Sequence, residues 1–409
     1  MNGHNLIGLA VFSALAAGGL LAGAASAAGA LTVDVRAGKF DRANVPLCLR
    51  LGRRLPDAKH FSLTCLGTKQ AVPVQLLPGK ARAVVWMVRE PLKAGQTRRY
   101  RLTASDSAAT AKASAVAVAD DGKRLQVKVG RRGVLTYNHA VVPSPDPKEP
   151  YYRRSGYVHP VRSPAGKVLT DDFAPDHPHQ HGIMFPWTKC TFEGRPAEFW
   201  NQKLQLGTVE HAGFQAAGGG SVFGFFTAKL RHVALKAAGG PKAALTETWS
   251  VRVYNRSDGF LFDIDSVQRS ATDSPLVIEK YHYGGMAIRC RREWIDKGDF
   301  LTSEGKTRAD GNHSRPRWCD VNGKLGGKAT GVTVLCHPGN FRFPQPVRLH
   351  PNKPYFCFAP MVLGRFRIEP GKPYVSKYRF YVHDGKLDPA AADALWNDYA
   401  HPAEVRIVE

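Results

Sequence analysis

Leu245-Thr246-Glu247-Thr248-Trp249-Ser250-Val251-Arg252-Val253-Tyr254 alternates along its length. Side chains of an extended chain point to opposite faces in turn, so this run predicts a strand whose buried face carries Leu245, Trp249, Val251 and Val253. Glu247 shares that face. A carboxylate at the margin of an apolar surface has its charged form destabilised and its pKa raised, which suits a general acid or base near neutral pH. A strand-end glutamate paired with one of the many arginines fits the same pattern equally well.

Strands of this kind continue on both sides. Residues 125–129, 222–228, 332–336 and 374–382 read as extended segments, with turns at Asp120-Asp121-Gly122, Ser257-Asp258-Gly259 and Asp384-Gly385. One helix is expected near the end, with Asp388 as its cap, Pro389 in the first position and a run to about Tyr399. Upstream, short strands at 31–35, 46–51, 71–76, 83–88 and 98–102 predict a small β-sandwich over residues 31–112. The Ala/Ser-rich stretch 104–115 reads as a linker. Residues 117–409 then form one large sandwich of many strands, and the chain is all-β.

A chain of 409 residues, 43% of them hydrophobic, can bury a large core in more than one domain. The apolar run 6–22, followed by Gly23-Ala24-Ala25-Ser26-Ala27-Ala28, predicts a signal peptide over residues 1–27 and a periplasmic or extracellular protein. An N-terminal membrane anchor is the alternative, weakened by the small-residue end. No second run of that length follows, so no integral membrane span is expected after signal removal.

The net charge of +23 survives that cut, because residues 1–33 carry no Lys, Arg, Asp or Glu. Such a field attracts polyanions. The basic residues are scattered and form no nucleic-acid motif, so an acidic glycan is the expected anionic partner, with a merely solvated basic surface as the plain alternative. Seven scattered cysteines make no disulfide scaffold. Export would permit a Cys48–Cys65 bridge, and buried free thiols are the reading for most of the rest.

The chemistry concentrates around Asp176-His177-Pro178-His179-Gln180-His181-Gly182, where three imidazoles recur at every second position. Pro178 has no N–H, which places the segment on a sheet edge or loop. These histidines can contact a sugar as acid, base and hydrogen-bond donors, or His177 and His179 can hold a divalent metal. His159 and His337 also precede proline, which restricts the backbone from which each ring hangs. Tyr283, Glu304, Trp318, Asp320 and Asn340 lie in segments that combine an aromatic, a turn glycine or a titratable group. Proteins hold pyranose rings with such combinations.

Asp176-His177-Pro178-His179 with Gly182, Phe199-Trp200, Tyr283-Gly284-Gly285, Ser303-Glu304-Gly305, residues 318–323 and His337-Pro338-Gly339-Asn340 together resemble the secreted bacterial PmoA-type family ("methane oxygenase PmoA"). That resemblance implies a galactose-mutarotase-like β-supersandwich associated with carbohydrate metabolism. Gln180 and His181 depart from that family's usual second His and Arg, so His177 and His179 are the carry-overs. The combined expectation is a carbohydrate lyase, eliminase, epimerase or hydrolase. His177, His179, Glu247, Glu304 and His337 would act as catalytic groups. His159, His181, Trp200, Tyr283, Trp318, Asp320 and Asn340 would bind substrate. A non-catalytic glycan-binding or cell-envelope protein is the rival reading.

Overall fold

The computed structural model describes residues 29–52, 54–55, 58–79, 82–105 and 115–408. The expected signal peptide at 1–27 and most of the expected linker lie outside the described residues.

The alternating run forms the strand Lys242–Tyr254, paired antiparallel with Phe223–Ala234 on one side and Phe260–Ser270 on the other. It is the third strand of an eight-stranded sheet that continues through Tyr374–Asp384, Lys328–Cys336 and Trp318–Leu325. A second eight-stranded sheet faces it, running from Val347–Leu349 and Tyr355–Phe358 through Met286–Arg289 to Arg132–Asn138 and Val116–Asp120. Trp249, Val251, Phe262, Ile264, Val334 and Phe380 of the first sheet meet Val127, Tyr137, Val158, Ile288, Phe356 and Phe358 of the second in one continuous core. Each fully buried aliphatic or aromatic chain of this kind stabilises the fold by about 1.5–3 kcal/mol. A one-residue slip would turn them all outward, so the pattern sets the register.

The small sandwich packs a five-stranded sheet on a three-stranded one around Val33, Leu47, Trp86 and Leu102. Its extent differs from the sequence reading. The last strand, Glu404–Val408, pairs with Ala30–Arg36 and returns the chain's end to this unit, with Val405 and Ile407 against its core. That pairing spans the whole sequence, and no local pattern announces it. Cys48 and Cys65 sit on strands of different sheets, and all seven cysteines are free, so the bridge that export would permit is not formed.

The helix Pro389–Ala400 begins as expected, with an Asp388 side-chain oxygen accepting from the Ala390 N–H at 3.0 Å. It buries Ala392, Leu395 and Trp396 against Trp318 and Leu335 on the outer face of the first large sheet. Arg42 of the small sandwich donates to Asp398 of this helix at 2.8 Å and ties the two units together. Among the described residues no helix is long and apolar enough to cross a membrane.

On that same outer face Asp263 accepts two bonds from Arg379, at 2.7 and 2.9 Å, and one from the Tyr254 hydroxyl. Both partners of the ion pair are buried. Removing one member of such a pair leaves an uncompensated charge and costs about 3–5 kcal/mol. We therefore expect Asp263→Ala to lower the urea midpoint by that much in free-energy terms, and Asp263→Ala combined with Arg379→Met to recover a large part of the loss.

Candidate functional site

The strand His177–His181 pairs only with Asp172–Ala174, in a two-stranded sheet set apart from the large ones. Pro178 is accommodated there because no second neighbour asks for its missing N–H. Gly182 ends the strand at φ +38°, and a Cβ at this position would stand 2.1 Å from the Val158 carbonyl oxygen. The close approach locks the strand's end onto the second large sheet, where Arg289 N–H donates to the Gly182 carbonyl at 2.7 Å.

Arg289 is the organiser. The residue is 1% exposed, and its two terminal nitrogens donate to Gln180 Oε1 at 2.9 Å and to Asp176 Oδ1 at 2.8 Å. The other Asp176 oxygen lies 3.0 Å from His177 Nδ1 and 3.5 Å from Lys353 Nζ. Partial burial pushes the Asp176 carboxyl up, but the Arg289 guanidinium outweighs it and holds the group at about 2. The carboxylate is thus charged, and it orients the His177 ring.

Around that ring lie His179, with centroids 5.5 Å apart, and His350 at 5.7 Å. Tyr355 packs on His350 at 5.1 Å. Burial lowers His179 to about 3, helped by neighbouring His177. Burial and the adjacent Arg348 lower His350 to about 4. Both rings are therefore neutral at pH 7, each offering one N–H and one acceptor nitrogen. Burial also pushes the Tyr355 and Tyr283 phenols upward, so both keep their O–H.

Several expected site residues prove structural. His181 is buried, with Nδ1 2.7 Å from Asp172 Oδ1 and Nε2 3.1 Å from Gln202 Oε1, so it anchors the strand from beneath. Trp200 is buried behind the site, edge-on to Tyr283 at 5.3 Å, and presents no face to a sugar. Tyr283 is half-buried and exchanges hydrogen bonds with the Asn201 amide. His159 is half-buried, 2.9 Å from Thr170 Oγ1.

Glu247 does not reach water. It is sealed between the large sheets, bonded by His232 Nε2 at 2.8 Å, Trp249 Nε1 at 2.7 Å, Gln268 Nε2 at 3.0 Å and the Ser266 hydroxyl. The alternation that placed it on the apolar face was right, and that face is the closed core. Trp318 is held by Asp393 of the helix, and Asp320 is buried under His383 and Thr333. Asn340 bridges the backbone of Lys377. His337 packs on Tyr399 of the helix at 5.0 Å, and exposed Glu304 accepts from its neighbour Ser303. Trp318 and His337 thus serve the helix side of the first sheet, whereas the histidine strand belongs with Arg289, His350 and Tyr355. The residues expected to act together as catalytic and substrate-binding groups are therefore not brought to one place. Among the described residues no group of three or more His, Cys, Asp or Glu side chains is placed to hold a metal ion.

Sequence reasoning passed over Arg289, His350 and Tyr355. His350 carried the same His-Pro signal as its partners, and Arg289 is the one charge closing the otherwise apolar strand Met286–Arg289.

The sequence profile of a family of unknown function (DUF6807) matches residues 124–397. This corrects the PmoA-type resemblance, which no match supports. No curated protein matches the sequence. Among solved structures the chain is similar to an α-mannosidase from Enterococcus faecalis V583, at 9% identity and a TM-score of 0.44, over 93% of this chain and 46% of that one. The chain therefore spans less than half the length of that relative. It is also similar to a galactose mutarotase related enzyme from Lactobacillus acidophilus, at 11% identity and a TM-score of 0.25, over 66% of this chain and all of the other.

The lowered histidines link stability to pH. Between pH 6.5 and about 3 the unfolded chain binds a proton at His179 that the folded chain refuses, so stability falls as pH drops through that window. The melting temperature is expected to decline from pH 6.5 to 4, and the decline to be shallower in His179→Gln; an unchanged slope would contradict the burial of this ring.

Proposed function

Since the chain belongs to the DUF6807 family, whose function is unknown, its own residues must supply the reading, and we propose that it is a carbohydrate-active enzyme that moves a proton at a sugar carbon. The observation that carries this is the Asp176–His177 pair set among His179, His350 and Tyr355. With Nδ1–H donated to a carboxylate that Arg289 keeps ionised, His177 has Nε2 left as an acceptor, the arrangement of an oriented general base. His179 and Tyr355 supply neutral N–H and O–H donors for the oxygen on which charge develops as the C–H bond breaks.

An epimerase or lyase fits this set better than a glycosidase. Glycosidases ordinarily need two carboxyl groups about 5–9.5 Å apart across the bond. Here Asp176 is committed to Arg289, His177 and Lys353, and Glu247 is enclosed in the core. A purely binding module is less well supported, because Trp200 and Trp318, the expected stacking platforms, are both buried.

Incubation of the purified protein in D2O with neutral, acidic and 3-keto sugars, followed by mass spectrometry, tests the reading. We expect deuterium to enter one carbon-bound position of a substrate. His177→Ala should slow the exchange by about 10²–10⁴-fold, with a smaller loss in Asp176→Asn. Sugar binding without exchange anywhere in the panel would leave the glycan-binding reading in its place.

A further inference from the structure

Among the described residues five arginines are buried: Arg42, Arg154, Arg256, Arg289 and Arg379. Four of them have a carboxylate within ion-pair distance, namely Asp398, Asp258, Asp176 and Asp263 in turn. Arg154 has none. Its side chain is 3% exposed, one terminal nitrogen donates to the Phe199 carbonyl at 3.1 Å, and its Nε is enclosed with no partner among the described residues. An unpaired guanidinium in the interior carries a large desolvation penalty, and proteins rarely leave one uncompensated.

Arg154 lines a cavity of about 320 Å³ whose wall includes Gln202, the partner of His181. Burial lowers its pKa to about 10, so it stays charged at neutral pH. Tyr151, Gln205, Thr208 and Glu210 also line this space. Among the described residues the Thr208 and Gln205 side chains have no hydrogen-bond partner, and so are available to hydroxyl groups. The Glu210 carboxylate, 3.6 Å from Arg231, adds a negative charge that a dianion would have to overcome.

We propose that this cavity is a binding site for a singly charged, monosaccharide-sized carboxylate, a sugar acid, whose carboxyl group pairs with Arg154 while its hydroxyls meet Thr208 and Gln205. The volume suits one such ring. The site does not depend on the activity assigned to the histidine strand.

Isothermal titration with galacturonate and glucuronate, against glucose and inorganic phosphate at constant ionic strength, tests it. A uronate should bind one to one, glucose should give no heat, and phosphate should bind at least tenfold more weakly. Arg154→Gln should lose uronate affinity at least tenfold, and Thr208→Trp, which fills the cavity while keeping Arg154, should abolish binding. Glu210→Gln should tighten it by about threefold by removing a like charge, and the binding lost in Arg154→Gln should be retained in His179→Ala. The proposal falls if neither uronate binds, if phosphate binds equally well, if Thr208→Trp or folded Arg154→Gln retains full affinity, or if His179→Ala removes it. Should Arg154→Gln fail to fold, Thr208→Trp and His179→Ala decide the matter on their own.

Discussion

The candidate site depends on one buried cation. Arg289 stands at the end of a strand inside the second large sheet, where a lone guanidinium could not be tolerated, and its two bonds to Gln180 and Asp176 draw the histidine strand down onto the sheet. Those bonds hold the carboxylate ionised, and the carboxylate aims His177. The same contacts leave His179 and His350 in surroundings too dry and too positive to take a proton. A sheet-edge segment with a proline in it has few ladder bonds of its own, so side chains, not backbone, give this strand its position.

Elsewhere the fold surrounds its buried carboxylates with donors. Glu247 illustrates it: four donors surround a carboxylate that the core would otherwise exclude. The outer face of the same sheet repeats the solution with Asp263 under Arg379 and Tyr254, and with Asp320 under His383 and Thr333. Arg42 and Asp398 apply it between the small sandwich and the helix. Against this background Arg154 stands out, since among the described residues no carboxylate pairs with it directly and only the charges of Glu247 and Glu210 act on it from further off.

The segment around Trp200 connects the two regions of interest. Glu198 accepts the N–H groups of Trp200 and Asn201 and shapes the bend. Asn201 holds Tyr283 beside the histidine site, while Gln202 reaches His181 with its oxygen and lines the Arg154 cavity. A short piece of chain thus braces the underside of the histidine strand and the wall of a second polar cavity.

The all-β class, the buried face of the strand Lys242–Tyr254 and the capped helix were legible in the sequence, because period-two alternation and an Asp-Pro start are local properties that burial then enforces, whereas the long strands Gly207–Gly218 and Phe260–Ser270 went unread. Of the site, the histidine run and its edge position were legible too, since Pro178 excludes a central strand. What alternation alone cannot tell is which apolar face ends up open: Glu247 and Trp318 carry the marks of a site and lie in closed interiors. The partners of His177 come from residues more than a hundred positions away, and the strand Glu404–Val408 finds its neighbour at the opposite end of the chain. Sequence by itself determined which segments extend and which side chains they show together; only the tertiary structure decided which charges meet and which stay unpaired, because Coulomb attraction and desolvation act across space and leave no period along the chain.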